Sequence, residues 1–285
     1  MNLLEEYRDK MKNKKDKADN TIKNTLCDLK HFYTYFKLDK DCSREDILNL
    51  KEDDFEQYVI HLKEKYKSTS ANRHKSSLVG FLGFVGHPQA LFVQQELKIT
   101  LHTAEKGCPT DRQADKFLED ILATGSPIQK TMAMIIRRTG VRISELGSLR
   151  LSNIDYINRR IKIEHTKNKK DRLLSVGDDV LEMIQWYIDE HRLTPYLGDN
   201  SGSDYLFISR KGGKFDQISK QLDNYFKKHG FTNHPIRHTV TNHLYKASKH
   251  NIKLVAQFMG NSPETLNRSY IHVDTEEYDG IRDLW

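Results

Sequence analysis

The spacing of apolar residues changes partway along the chain, and the change divides it. From Thr21 onward Ile22, Leu26, Leu29, Phe32 and Phe36 recur at steps of three and four, which lines one face of an α-helix with apolar side chains. A second helical stretch carries Phe55, Val59 and Leu62, then Tyr66. A third follows Ser68-Thr69-Ser70, has Leu78, Phe81, Leu82 and Val85 as its apolar part, and is stopped by Gly86-His87-Pro88. The opening MNLLEEYRDKMKNKKDKADN reads as a charged lead with no sustained apolar period. Residues 1–100 therefore predict an all-helical domain of four or five short helices. The polar, aperiodic residues 101–111, with Gly107 and Pro109, predict a linker.

Residues 112–285 predict a second domain of mixed character. A helix begins near Asp111 with Phe117, Ile121 and Leu122 buried, and Ser126-Pro127 opens another that runs through Met132, Met134, Ile135 and Ile136 to Thr139-Gly140. Ile161-Lys162-Ile163-Glu164 alternates apolar and polar, and Arg172-Leu173-Leu174-Ser175-Val176 is its partner. Between them Thr166 to Asp171 forms a lysine-rich tip, so the pair reads as a β-hairpin. Helices return at Asp179–Glu190, Phe215–Lys228, Thr239–Ala247 and Ile252–Met259, and Ser262-Pro263 caps one more. The fold class is mainly α with a small β-sheet: a helical N-terminal domain followed by a mixed α/β domain.

Composition narrows the function. The chain is 37% hydrophobic and 30% charged, and aromatic and aliphatic residues run throughout, which excludes a disordered chain. No apolar run approaches the roughly 20 residues that span a bilayer, and the N-terminus has no apolar core of a signal peptide. A cytoplasmic protein is expected. Cys27, Cys42 and Cys108 have no C-x-x-C spacing, so neither a zinc site nor a disulfide framework is expected. The net charge of +6 favours phosphate backbones. With 40 acids present, any nucleic-acid face must be a local stripe.

No Gly-rich phosphate loop, no H-E-x-x-H and no carboxylate set at metal-ligand spacing occurs, so neither ATP nor a metal or other cofactor is expected. Metal-free cleavage of a phosphodiester needs cations on the phosphoryl oxygens, an in-line nucleophile, and an acid for the departing alkoxide. Thr139-Gly140-Val141-Arg142-Ile143-Ser144-Glu145-Leu146 puts Arg142 just after a helix-ending glycine, where its planar fork can hold two phosphate oxygens. The alternative is a structural Arg142–Glu145 pair one turn apart. Thr166-Lys167-Asn168-Lys169-Lys170-Asp171-Arg172 sets three lysines on a hairpin tip. His234-Pro235-Ile236-Arg237-His238 pairs an imidazole with a guanidinium. Phe258-Met259-Gly260-Asn261-Ser262-Pro263 is followed by Tyr270-Ile271-His272-Val273, with Asn261 and Tyr270 nine positions apart.

In this order the segments resemble the T-G-x-R-x-x-E-L, G-K-G-x-K-x-R, H-x-x-R-H and L-G-H-S…Y-x-H-V boxes of the tyrosine recombinases, the family of lambda integrase and the Xer-type enzymes. The resemblance implies a helical, SAM-like core-binding domain and a catalytic domain that together clamp duplex DNA. It implies that Tyr270 is the nucleophile, that Arg142 and Arg237 hold the phosphate, and that Lys167 is the general acid, with Lys169 and Lys170 as competitors and as DNA contacts. His234 takes or relays the tyrosine proton. Asn261 stands where the family has His or Trp and keeps a donor N–H. Lys63, Lys65, Lys67, Arg73 and Lys75 are candidate phosphate contacts of the N-terminal domain, although solvated helix faces explain them equally well. The implied partners are double-stranded DNA and further protomers, in a tetrameric synapse to which the acidic tail after Tyr270 contributes; the tail folded on its own domain is the alternative. Two other readings share the chemistry or the fold: a monomeric type IB topoisomerase, and a DNA-binding protein weakened in catalysis at Asn261.

Overall fold

The computed structural model describes residues 2–13, 19–100, 108–164, 171–193, 202–209, 211–231 and 233–269. The chain divides into two compact units, Met1–Glu105 and Lys106–Trp285.

The first unit is helical. It comprises α1 (Leu3–Asn13), α2 (Asp19–Tyr35), α3 (Arg44–Leu48), α4 (Glu52–Lys65), α5 (Ser68–Val85) and α6 (Ala90–Gln95). The apolar stripe of α2 meets α4 and α5 around Phe32, Tyr58 and Phe81, all essentially inaccessible. Burial of such side chains is worth roughly 1.5–3 kcal/mol each. Local chemistry sets the helix limits. Ser43 and Asp46 cap α3 reciprocally, and Gly86 ends α5 in the left-handed region at φ 81°. The charged lead does contain a helix, contrary to expectation. In α1 only Leu3, Tyr7 and Met11 are buried. They recur every fourth residue between charges, so the stripe is one side chain wide and vanishes in a running average.

The second unit is built around α8. Its first helices are α7 (Asp111–Thr124), α8 (Pro127–Thr139) and the single turn α9 (Ile143–Leu146). Strands β1 (Ile154–Asp155), β2 (Arg160–Ile163) and β3 (Arg172–Ser175) form an antiparallel sheet in that order. Then follow α10 (Asp178–Glu190), α11 (Ile218–Lys228), α12 (Asn233–Ala247), α13 (Ile252–Met259) and α14 (Pro263–Ser269). Helix α8 packs on α7, α9, α10, α11 and α12 and is buried along most of its length. The short β1 was not foreseen. Ile161 pairs with Leu174 and Ile163 with Arg172. The alternation in β3 buries Arg172 and Leu174 and exposes Leu173. Helix α12 starts at Asn233, six residues before the expected Thr239, so the His234–His238 segment lies within a helix. Pro235 is tolerated there because the first turn of a helix leaves its N–H groups unpaired.

Candidate active site

Two helix C-termini and one interior arginine make the frame of the site. Gly140 closes α8 with φ 60°, and Gly260 closes α13 with φ 65°. Both lie in the region where an L side chain is strained. A Cβ on Gly140 would stand 2.9 Å from Met259 Cε, and one on Gly260 would stand 2.9 Å from Arg172 Nη1. The backbones are thus close to each other and to the guanidiniums. Arg237, buried on α12, donates from Nη1 to Gly140 O and from Nη2 to Met259 O. The C-terminal ends of α8 and α13 carry partial negative charge, which makes them acceptable seats for this buried cation.

Arg142 follows the Gly140 turn at the N-cap of α9. Its Nη1 donates to Glu145 Oε1 at 2.9 Å, and its Nη2 to Gly260 O at 3.1 Å and Asn261 Oδ1 at 2.5 Å. The side chain stays 28% exposed. Among the described residues its Nε–H and second Nη1–H have no partner. Arg172 reaches the same carboxylate from β3, with Nη1 3.0 Å from Glu145 Oε1 and Nη2 2.8 Å from Oε2, and its Nε donates to Phe258 O. Burial pushes the Glu145 carboxyl up, but Arg172 and then Arg142 overcome it and hold the group below the usual carboxylate range. Two guanidiniums thus share the Glu145 carboxylate, and Arg237 joins the cluster through Asn261, so positive charge is left over.

Asn261 completes the cluster. Its Oδ1 accepts from Arg142 Nη2 and, at 3.4 Å, from Arg237 Nη2. That orientation is the only sensible one, since an NH₂ group there would face cations. Its Nδ2 is then turned away, buried and without a hydrogen-bond partner among the described residues. A buried donor without a partner costs roughly 1–3 kcal/mol, so an anion brought to this point would relieve a deficit already present in the protein.

The structure therefore brings together Arg142, Arg237 and Asn261 from three separate segments. His234 is placed only by backbone, on α12 three residues before Arg237. Lys167, Lys169, Lys170, Tyr270 and the tail after it lie outside the described residues. The described base of the hairpin is held by Lys162 Nζ, 2.9 Å from Glu164 and 3.1 Å from Asp171. Arg172 and the shared Glu145 were not foreseen as one unit. The signal was present, since a charged residue on the buried face of an alternating strand needs a buried partner.

In the first unit Lys63, Lys65 and Lys67 are exposed where α4 ends and α5 begins. Arg73 is half exposed and pairs with buried Asp28 at 2.5 Å. Lys75 departs from expectation. It is buried, and its ammonium donates to Gln94 O at 3.2 Å and Leu97 O at 2.7 Å, tying the end of α6 to α5. Burial, then the charge of Lys63, lowers its pKa. Its ammonium thus serves the packing of this unit.

Residues 110–277 match the phage integrase family, and residues 4–87 match the phage integrase N-terminal SAM-like domain. The chain belongs to the phage integrase family. It is a tyrosine recombinase, an enzyme that cleaves and rejoins DNA. A tyrosine recombinase of Thermosipho africanus is 24% identical over 99% of both chains. Tyrosine recombinase XerD of Oceanobacillus iheyensis is 26% identical over 90% of this chain and 88% of its own. Among solved structures, the Tn1549 transposon integrase in complex with transposon right end DNA superposes with a TM-score of 0.72 at 21% identity, covering 99% of both chains. A lambda integrase dimer bound to a core site gives 0.69 at 14%, covering 94% of this chain and 75% of that one. At these identities the structures establish the shared fold. Among the described residues no helix is long and apolar enough to cross a membrane.

Proposed function

We propose that this site cuts one strand of duplex DNA and conserves the bond as a 3′-phosphotyrosyl ester. The Tyr270 hydroxyl attacks the scissile phosphorus while His234 takes its proton. The P–O5′ bond breaks, and Lys167 protonates the departing 5′ oxygen. Resealing is the same step in reverse, with a 5′ hydroxyl of the partner strand as the nucleophile, and needs no ATP because the ester stores the broken bond. Arg142 lends its unpartnered N–H groups to a non-bridging oxygen. Arg237 contributes charge and helps orient Asn261, whose Nδ2 donates to the same phosphate. The observation that carries this reading is the buried Nδ2 of Asn261, without a partner among the described residues, beside two guanidiniums. Exchange of strands requires several protomers, a tetramer on two duplexes. Lys63, Lys65, Lys67 and Arg73, with Lys169 and Lys170 on the hairpin, are its phosphate contacts. The place of work is the cytoplasm, at the nucleoid.

The test uses a pool of nicked duplexes with a randomised core and a 5′-bridging phosphorothiolate, whose thiolate leaves but cannot reattack. The protein should become covalently attached to a recoverable sequence, and Tyr270→Phe should bind that sequence without attachment. A Tyr270→Phe protein that still attaches, for instance through Tyr278, or a parent that never does, refutes the proposal.

A further inference from the structure

Glu145 sits between two arginines, and the two do not share it equally. Arg172 takes both carboxylate oxygens in a bidentate pair, whereas Arg142 reaches only Oε1 with its side chain and holds Oε2 through its backbone N–H at 3.0 Å. Glu145 and Arg172 are both almost wholly buried, while Arg142 is the partly exposed member. A carboxylate that paired fully with Arg142 would cancel the charge that the proposed phosphate needs. Two parallel N–H···O bonds from Arg172 are the stronger claim on the same group.

We infer that Arg172 is a positioning residue of the phosphate site: it occupies Glu145 so that Arg142 stays charged and open toward the phosphate. The inference rests on the phosphate reading given above. A second consequence of the same side chain follows from its position. Its Nε donates to Phe258 O, and the backbone of Gly260 lies against its guanidinium. Arg172 therefore ties β3, the strand that follows the lysine hairpin, to the end of α13 that carries Asn261. Lysine keeps the charge but lacks the planar fork, so it cannot hold both oxygens and the carbonyl at once.

The decisive comparison is between Arg172→Met and the double variant Arg172→Met/Glu145→Gln, in single-turnover attachment to the selected phosphorothiolate duplex at saturating protein. Arg172→Met releases the carboxylate onto Arg142, so attachment should slow by about tenfold, the size of coupling usual in a salt-bridge network. Affinity for the duplex should fall less. Removing the freed carboxylate with Glu145→Gln should then restore most of the rate. A residue that merely holds the fold together predicts the opposite, since the second substitution removes a further partner. A double variant no faster than Arg172→Met overturns the inference. If Arg172→Met does not fold, as judged by circular dichroism, Arg172→Lys with and without Glu145→Gln decides by the same ordering. One readout does not depend on cleavage: the ¹⁵Nε resonance of Arg142 should shift in Arg172→Met or Arg172→Lys as the carboxylate turns to it. An unmoved resonance overturns the inference even if the parent never attaches to DNA. Absence of attachment by the parent, with the resonance shifted, overturns the recombination chemistry alone.

Discussion

Asn261 holds its carbonyl oxygen toward Arg142 and Arg237 and turns its amide nitrogen away from them. In the proposed reaction the residue does two jobs, accepting from the arginines and donating outward to the phosphate, and neither involves proton transfer. The three substitutions that separate these jobs make a specific prediction. Asn261→Ala loses the outward donor and should slow single-turnover cleavage by about 2–4 kcal/mol, the range for a removed oxyanion donor. Asn261→His should remain active, because a neutral imidazole has one nitrogen to accept from an arginine and one N–H to donate. Asn261→Asp should be slower than Ala, since a carboxylate would neutralise the guanidiniums and repel the phosphate. Equal rates for Ala and Asn would show that the position is a spacer. The sequence made Asn261 a candidate through its distance from Tyr270, but not its two-sided bonding. That depends on Gly140 and Gly260 bringing distant segments within hydrogen-bond reach.

At the scale of elements, the site depends on how α8 and α13 end. Gly140 and Gly230 both adopt left-handed backbone, at φ 60° and 75°. A Cβ would meet Met259 Cε and Val240 at Gly140, and nothing within 4 Å at Gly230. Gly230→Ala should cost only the backbone strain, about 1–2 kcal/mol. Gly140→Ala should cost about 1–3 kcal/mol more from overpacking, and should slow cleavage because Gly140 O is a seat of Arg237. Chemical denaturation of both variants checks the first point, and equal losses would show that the α8–α13 contact gives way freely. The same elements show what the sequence disclosed. Helices with broad apolar stripes, such as α5 and α8, and the strands β2 and β3 were legible because burial imposes a period on them. Helix α1 was hidden by its narrow stripe, and the true start of α12 by Pro235, which reads as a breaker until it is seen in the first turn. The Glu145–Arg172 pair joins residues 27 positions apart, and no local pattern encodes such a pairing.

At the scale of the whole molecule, 46 basic and 40 acidic residues leave too small an excess to draw DNA to the surface at large. Affinity must come from places where cations are exposed and not already paired. In the first unit the exposed cluster is Lys63, Lys65 and Lys67, whereas the ammonium of Lys75 is held by carbonyls. The two classes should respond differently to substitution and to salt. Each phosphate contact adds roughly 0.9 to the slope of log affinity against log salt concentration. Replacing Lys63, Lys65 and Lys67 together by Gln should therefore weaken duplex binding on any sequence and flatten that slope by up to about 2.7. Lys75→Gln should leave the slope unchanged and lower the melting temperature, because the carbonyls of Gln94 and Leu97 lose their charged donor. Binding titrations of the selected duplex from low to moderate salt, beside thermal melts of the same proteins, measure both. A slope that falls with Lys75→Gln and not with the triple variant would mean that α4 and α5 face DNA by a different surface.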